Sequence, residues 1–337
     1  MVPSYIHMVT AQDGWGVGTG ISITRDGGRR WTTVTPPGVT ATWPEFPDQI
    51  SLPDASTAWV VGQLAQGEAL YRTTTAGSSW QNVRLPAVDV QIGGVRFTSY
   101  QGVSIDATSG QDAWVLLILA QAAGTEYAEL YQTADGGRSW APRGGWVGGD
   151  STVLSAQGPT SLWLGVYGVA TTDWATVSHS SDGGATWQGV RLPVPQTYQP
   201  NAFGTLAPQF FTAQTGLIPV LPGVSPTVLI FDTTADGGRT WRATASLVVH
   251  TVKQVYAFAD AVHGWVATGQ ELVATTDGGQ TWRAVTPTGS APAPQDLQQL
   301  DFISPTTGWA IAVSGGQTQL WRTQDGGSAW TELGATP

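Results

Sequence analysis

One eight-residue pattern recurs seven times along this chain, and that recurrence limits its folds more than any other feature. The copies occupy residues 24–31, 73–80, 133–140, 180–187, 234–241, 275–282 and 323–330, with the consensus Ser/Thr-x-Asp-Gly-Gly-x-x-Trp. The acids are Asp26, Asp135, Asp182, Asp236, Asp277 and Asp325. The aromatic ends are Trp31, Trp80, Trp140, Trp187, Trp241, Trp282 and Trp330. The second copy alone lacks the Asp and the first Gly, having Thr75 and Ala76 instead. Trp31 and Trp330 bound six intervals, which sets a period of about 50 residues, the scale of repeat architectures.

A second marker precedes each box: Gly14-Trp15, Ala58-Trp59, Ala113-Trp114, Leu162-Trp163, Gly216-Leu217, Gly264-Trp265 and Gly308-Trp309. Upstream of the marker, apolar residues flank a third position. Ile6 and Met8 flank His7, Ile105 and Ala107 flank Asp106, and Leu300 and Phe302 flank Asp301. Alternation of this kind is the period-two signature of a strand. Each unit then reads as four strands. Strand A ends before the marker, strand B starts at it, strand C enters the box and strand D leaves it. No helical periodicity of useful length interrupts the series. Seven four-stranded units predict an all-β fold, a single seven-bladed β-propeller of antiparallel blades over residues 1–337. The blades are expected near 4–36, 47–86, 102–143, 151–193, 206–245, 253–287 and 297–334. Because the series starts with a strand A and ends with a strand D, each blade is expected to be complete. Side-chain packing between the first and the last would then close the ring.

Within the box, the Asp is expected to cap the turn through backbone N–H groups two residues on, and the Gly pair to permit positive φ. The Trp packs back on the hairpin. Thr75 caps more weakly, so a looser second turn is expected. The repeat resembles the Asp box, or BNR repeat, of sialidases, sortilin-type receptors, xyloglucan-active glucanases and the photosystem II assembly and stability factor family. That resemblance covers essentially the whole chain and implies boxes at the periphery that carry no chemistry. The sialidase pattern is not met: no Arg-Ile-Pro start occurs, and that ring usually has six blades. The assembly-factor family implies docking on a membrane-protein precursor or another envelope partner. Its arginine-rich patch has no counterpart here, so only the generic binding role carries over.

Composition narrows the partners. Lys and Arg total 14 against 24 Asp and Glu, a net charge of −10, which leaves no electrostatic footprint for nucleic acid. No apolar run reaches the roughly 20 residues of a membrane helix, so no membrane insertion is expected. The absence of Cys removes disulfides and thiolate chemistry. The acidic, Trp-rich, Lys-poor composition suits an extracytoplasmic or secreted protein whose leader has been removed, and a monomer is expected. No cofactor or metal motif is present: Gly14 to Gly20 lacks the last glycine of a dinucleotide fingerprint, and His7, His179, His250 and His263 are not at ligand spacing.

Two functions fit what remains. The first is a non-enzymatic binding or assembly scaffold that recognises a protein or carbohydrate partner. Its recognition surface is the long D–A and B–C connections, which share one face, and its candidate ligand-binding residues are Trp43, Arg96, Trp146, Trp174 and Tyr198. The three tryptophans lie outside the repeat, and exposed rings beside acids suit a sugar face or a protein hot spot. The second is a glycoside hydrolase or polysaccharide lyase. Asp106 and Asp301 share one slot of the innermost strand, and two carboxylates about 5–10 Å apart serve glycoside chemistry. Glu45 and Asp48 are the next acids to consider.

Overall fold

The computed structural model describes residues 2–39, 49–64, 67–122, 125–148, 152–166, 174–199, 203–251 and 253–336. It is an all-β, seven-bladed propeller, whose short helical elements include the 3-10 turns Gln196–Tyr198 and Pro294–Asp296. No helix there is long and apolar enough to cross a membrane.

Two compact units make up the chain. Residues Thr35–Gln209 hold blades two to four. Their A-to-D strands are Ile50–Ser51, Ala58–Leu64, Gly67–Thr73 and Gln81–Val83 in blade two. Blade three has Gly102–Ala107, Ala113–Ala122, Thr125–Thr133 and Ala141–Gly148; blade four has Thr152–Ala156, Leu162–Val166, Thr176–Ser180 and Gln188–Arg191. Residues Met1–Val34 and Phe210–Pro337 form the other unit. In it, blade one runs Tyr5–Met8, Gly14–Val17, Ile21–Thr24 and Thr32–Thr33; blade six runs Val255–Phe258, Gly264–Ala267, Leu272–Thr275 and Arg283–Ala284. Blade seven runs Leu297–Phe302, Gly308–Ser314, Gln317–Thr323 and Thr331–Thr336.

Blade five departs from the pattern. Its sheet has six strands in place of four: the inner strand is broken into Phe203–Thr205 and Gln209–Phe210, Gly216–Pro222 and Val228–Thr234 follow, and the outer strand is broken into Arg242–Ala243 and Leu247–Val248. Pro208 precedes Gln209–Phe210, where a residue without an N–H cannot serve a ladder.

Within each unit, the hydrophobic clusters lie between consecutive blades. Trp59, Val61 and Leu70 of blade two pack with Ile105, Val115 and Leu117 of blade three. Trp265 and Leu272 of blade six pack with Leu300, Phe302 and Trp321 of blade seven. Ile6 and Met8 of blade one pack with Trp309, Ile311 and Leu320 of blade seven. The alternation read for strand A is met: Ile6 and Met8 are buried on either side of a half-buried His7.

The marker tryptophans are the deepest side chains. Trp15, Trp59, Trp114, Trp163 and Trp309 are fully buried, whereas six of the seven box tryptophans stay half-exposed. Three marker indoles also donate to the following blade: Trp59 to the Ser109 carbonyl, Trp265 to that of Gly326 and Trp309 to that of Gly27, each at 2.9 Å. A strand-C side chain covers the ring. The Arg72 guanidinium lies 5.5 Å from the Trp59 centroid, that of Arg322 lies 5.0 Å from Trp309, and His179 stacks on Trp163 at 4.0 Å. The arginines also press on the next box: a Cβ at Gly27 would sit 2.5 Å from Arg322, and one at Gly136 would sit 2.9 Å from Arg72. Both positions have positive φ, which favours glycine.

The box turn is a two-step cap. The Ser or Thr hydroxyl accepts the N–H of the second Gly, as in Gly28 to Thr24 at 2.9 Å and Gly184 to Ser180 at 2.7 Å. The Asp Oδ1 accepts an N–H four residues on, as in Arg30 to Asp26 and Thr240 to Asp236, both at 2.9 Å. The expected bond two residues on is therefore replaced by a longer reach, because the hydroxyl supplies the inner cap. These bonds favour the ionised acid and hold Asp135, Asp182, Asp236 and Asp277 down to about 2. Their contribution is thus present above the ordinary carboxylate range and is lost as pH falls through about 2.

The second box is not looser, contrary to the expectation from its sequence. Gly77 still donates to Thr73 at 3.1 Å, and Thr75 Oγ1 accepts the Ser79 N–H at 3.0 Å, in place of a carboxylate. The difference lies in Ala76, a non-glycine at φ 50°. An L-residue in this region costs of order 1–2 kcal/mol. Ala76→Gly is therefore expected to stabilise the protein by about 0.5–1 kcal/mol in urea unfolding, after allowing for glycine's entropy. Trp309→Phe, which removes the N–H but keeps most of the ring, is expected to cost about 1–2 kcal/mol. Trp309→Ala is expected to cost about 3–5 kcal/mol in the same assay.

Candidate binding face and the strand-A carboxylates

The slot holding Asp106 and Asp301 is a line of struts between neighbouring A strands. Ser51 Oγ accepts the Ala107 N–H at 2.9 Å and donates to the Ala107 carbonyl at 3.2 Å. Asp106 Oδ2 accepts the Ala156 N–H at 2.6 Å, and its Oδ1 accepts the Ser51 hydroxyl at 3.3 Å. Ser155 donates to the Pro208 carbonyl at 2.9 Å. At Asp106 a carboxylate faces a backbone N–H, and at Ser155 a hydroxyl donor faces a proline that offers only its carbonyl. Asp301 Oδ2 accepts the Met8 N–H at 2.6 Å, and the Gln299 amide accepts from Ile6 N–H at 2.8 Å and donates to its carbonyl at 2.6 Å. These bonds join strand A of blade seven to strand A of blade one.

Burial raises both acids, Asp106 to about 6 and Asp301 to about 7, against the pull of their backbone N–H bonds. Each carboxyl can therefore hold or release a proton near neutrality, but each is also committed to a neighbouring strand. Among the described residues no three His, Asp or Glu side chains converge as a metal-binding group.

Blade three carries the largest elaboration. Its strands B and C run ten and nine residues, against four each in blade one. In front of it, a hairpin of Val90–Ile92 and Val95–Phe97 turns through Gly93 and Gly94, both at positive φ. The Gly-Gly pair between alternating apolar residues is a hairpin signal that was readable in the sequence and was not read. Phe97 and Tyr127 rings lie 5.5 Å apart, and Ile92 seats where a Cβ on Gly145 would come within 2.7 Å of it. The hairpin is thus laid beside strand D of blade three. Val95 is 48% exposed and Val147 is 47% exposed on these two elements. Arg96 is tied to Asp89 by two bonds of 2.8 Å. Below them, Glu126 accepts from Gln121 at 2.7 Å, while burial raises Glu129 and, with the Glu68 charge, Tyr100.

The remaining sequence candidates divide. Trp174 is 40% exposed, with the Arg191 guanidinium 3.0 Å from its ring centroid. Tyr198 is half-buried in the Gln196–Tyr198 turn. Trp146 is half-buried rather than exposed: it packs against the core cluster that holds Trp114, Leu116, Leu130 and Leu154, with the Trp187 ring centroid 5.6 Å away. Its indole N–H is buried without a hydrogen-bond partner among the described residues. Trp43, Glu45 and Asp48 lie outside the described residues.

Sequence reasoning also passed over Asp232, on strand C of blade five. Tyr71, Tyr131, Val273 and Trp321 hold the same position in other blades. Asp232 is completely buried, and neither carboxylate oxygen has a hydrogen-bond partner among the described residues. Burial pushes it to about 8. The folded chain thus keeps it protonated at neutral pH, whereas the unfolded chain ionises it near 4. Its presence costs stability as pH rises from about 4 to about 8. Asp232→Val is expected to stabilise the protein at pH 8 by several kcal/mol, on the order of 4, and by far less at pH 4. Urea unfolding across that range measures it.

No family model and no curated protein matches the chain. Among solved structures it is similar to YCF48 bound to D1 peptide, at 17% identity and TM-score 0.53, over 95% of this chain and 90% of that one. It is also similar to YCF48 from Cyanidioschyzon merolae, at 17% identity and TM-score 0.52, over 95% and 92%. An oligogalacturonate lyase in complex with manganese matches at 10% identity and TM-score 0.59, over 93% and 85%. Likeness at these identities establishes the propeller fold, and the neighbours include both binding proteins and carbohydrate-active enzymes.

Proposed function

We propose that this chain is a non-enzymatic binding scaffold of the Asp-box type that docks an extended segment of a protein partner on the elaborated side of blade three. The carrying observation is the hairpin Val90–Phe97 braced against strand D, which leaves Val95 and Val147 in solvent beside the Arg96–Asp89 pair. Apolar residues held out on a rigid hairpin suit docking better than they suit solubility. The fold neighbour bound to D1 peptide supports a polypeptide as the occupant. The exposed Trp174–Arg191 stack of blade four supplies an aromatic anchor, a residue pair typical of hot spots. The proposed setting is extracytoplasmic and the proposed state monomeric.

A second reading, a glycoside hydrolase or polysaccharide lyase, is favoured by one observation: Asp106 and Asp301 are both raised toward neutrality.

One set of measurements separates the readings. A displayed peptide library is selected on the whole protein, and amide hydrogen exchange locates the bound clone. Protection is expected in residues 90–97 and 141–148, with Val147→Asp weakening binding about tenfold and Val262→Asp, on an exposed turn elsewhere, leaving it unchanged. Protection confined to other blades removes the docking reading. Polysaccharide turnover that is lost in Asp106→Asn or Asp301→Asn, while the variants still fold, favours the enzyme.

A further inference from the structure

Blades six and seven enclose a cleft of about 400 Å³ that neither function above uses. Its floor is apolar: Leu272, Val285, Leu297 and Trp330. Trp330 is the single box tryptophan that is buried, at 7% exposure, because the connection from blade six to blade seven lies over it. That connection is stiff and fastened at intervals. Val285 N–H donates to the Leu272 carbonyl at 2.8 Å, and Thr288 gives both its N–H and its hydroxyl to the Ser328 carbonyl, at 2.8 and 3.1 Å. Pro292 and Pro294 then lead into the 3-10 turn Pro294–Asp296, closed by Asp296 N–H on the Ala293 carbonyl at 2.9 Å. Between these fastenings run Gly289, Ser290, Ala291, Pro292 and Ala293, whose small side chains leave the space unfilled. A volume of this size lies in the range of small-molecule sites, and walls fixed in advance reduce the cost of occupying it.

One charge stands at the cleft. The turn at its mouth, Thr268 to Glu271, is pinned by Thr268: its hydroxyl accepts the Glu271 N–H at 3.0 Å and its N–H donates to the Glu271 carbonyl at 2.9 Å. The backbone of Glu271 is thereby fixed while its side chain remains exposed among the lining residues. No Lys or Arg lines the cleft, and the chain as a whole carries −10. An apolar floor, a rigid small-residue wall and one carboxylate at the rim select one kind of ligand. We infer that this cleft binds a small organic ammonium, a compact hydrocarbon body in the cleft with its cationic head at Glu271.

Isothermal titration of the whole protein with 2-phenylethylammonium, 2-phenylethanol and 3-phenylpropanoate tests this with three probes of similar bulk and different charge. The ammonium is expected to saturate in the millimolar range or below. The alcohol, and the ammonium on Glu271→Gln, are each expected to bind about fivefold more weakly, the worth of one solvent-facing ion pair. Ala291→Leu, which fills the cleft from a loop and leaves the blades intact, is expected to abolish binding. Equal affinity for the carboxylate probe would overturn the inference, as would unchanged binding in Glu271→Gln or Ala291→Leu. Failure of the ammonium to saturate by about 10 mM would do the same.

Discussion

The marker tryptophan on strand B is the element on which the rest depends. A single four-stranded blade cannot bury both faces, so its stability comes from the blade beside it. Trp59, Trp265 and Trp309 meet that need in two ways. Each ring fills the wedge between two sheets, and each indole N–H is satisfied by a carbonyl of the following blade. Gly27 and Gly136 hold the positive φ of the turn, and the arginine over the ring of the preceding blade packs directly on them. Similar wedges between consecutive blades within each unit impose the same demand repeatedly.

The inner strands carry a second set of inter-blade bonds, and this set bears on function. Asp106 and Asp301 have the raised carboxyls that catalysis favours, and they also hold neighbouring strands together through the Ala156 and Met8 amides. A raised carboxyl is an expected by-product of such a strut, since the same burial that excludes water from the bond penalises the charge. Structural and chemical roles therefore leave the same mark on these residues. The loops carry less of this ambiguity. The hairpin before blade three closes no wedge of its own. It is built with its own glycine turn and its own ring contact, and it holds Val95 in solvent beside Val147 of the strand it is laid against.

The legible part of the molecule was the part enforced by repetition. Strand order, the alternation around His7, Asp106 and Asp301, and the box as a C–D turn all follow from residues aligned against six other copies of themselves. Where one copy departs, inference weakened. Thr75 reads as a poor cap, yet its hydroxyl takes the bond a carboxylate makes elsewhere, because Thr73 already holds the inner half of the turn. Trp146 reads as a free aromatic because it lies outside the repeat, but strand D of blade three is long enough to fold it onto Trp187. Asp232 was invisible for the opposite reason: one acid in an otherwise apolar strand carries no sign of whether it faces solvent.

Period and composition by themselves determined the strand count, the blade length, the turn chemistry and the acidic surface, because those are local or repeated and need no knowledge of what lies opposite. Tertiary structure decided everything that depends on a neighbour distant in sequence. It made the slot carboxylates struts, left Asp232 buried without a partner among the described residues, and turned a run of Gly, Ser, Ala and Pro residues into the wall of a cleft. The physical reason is common to all three: burial and partnership belong to pairs of surfaces, and a sequence records only one of the two surfaces at a time.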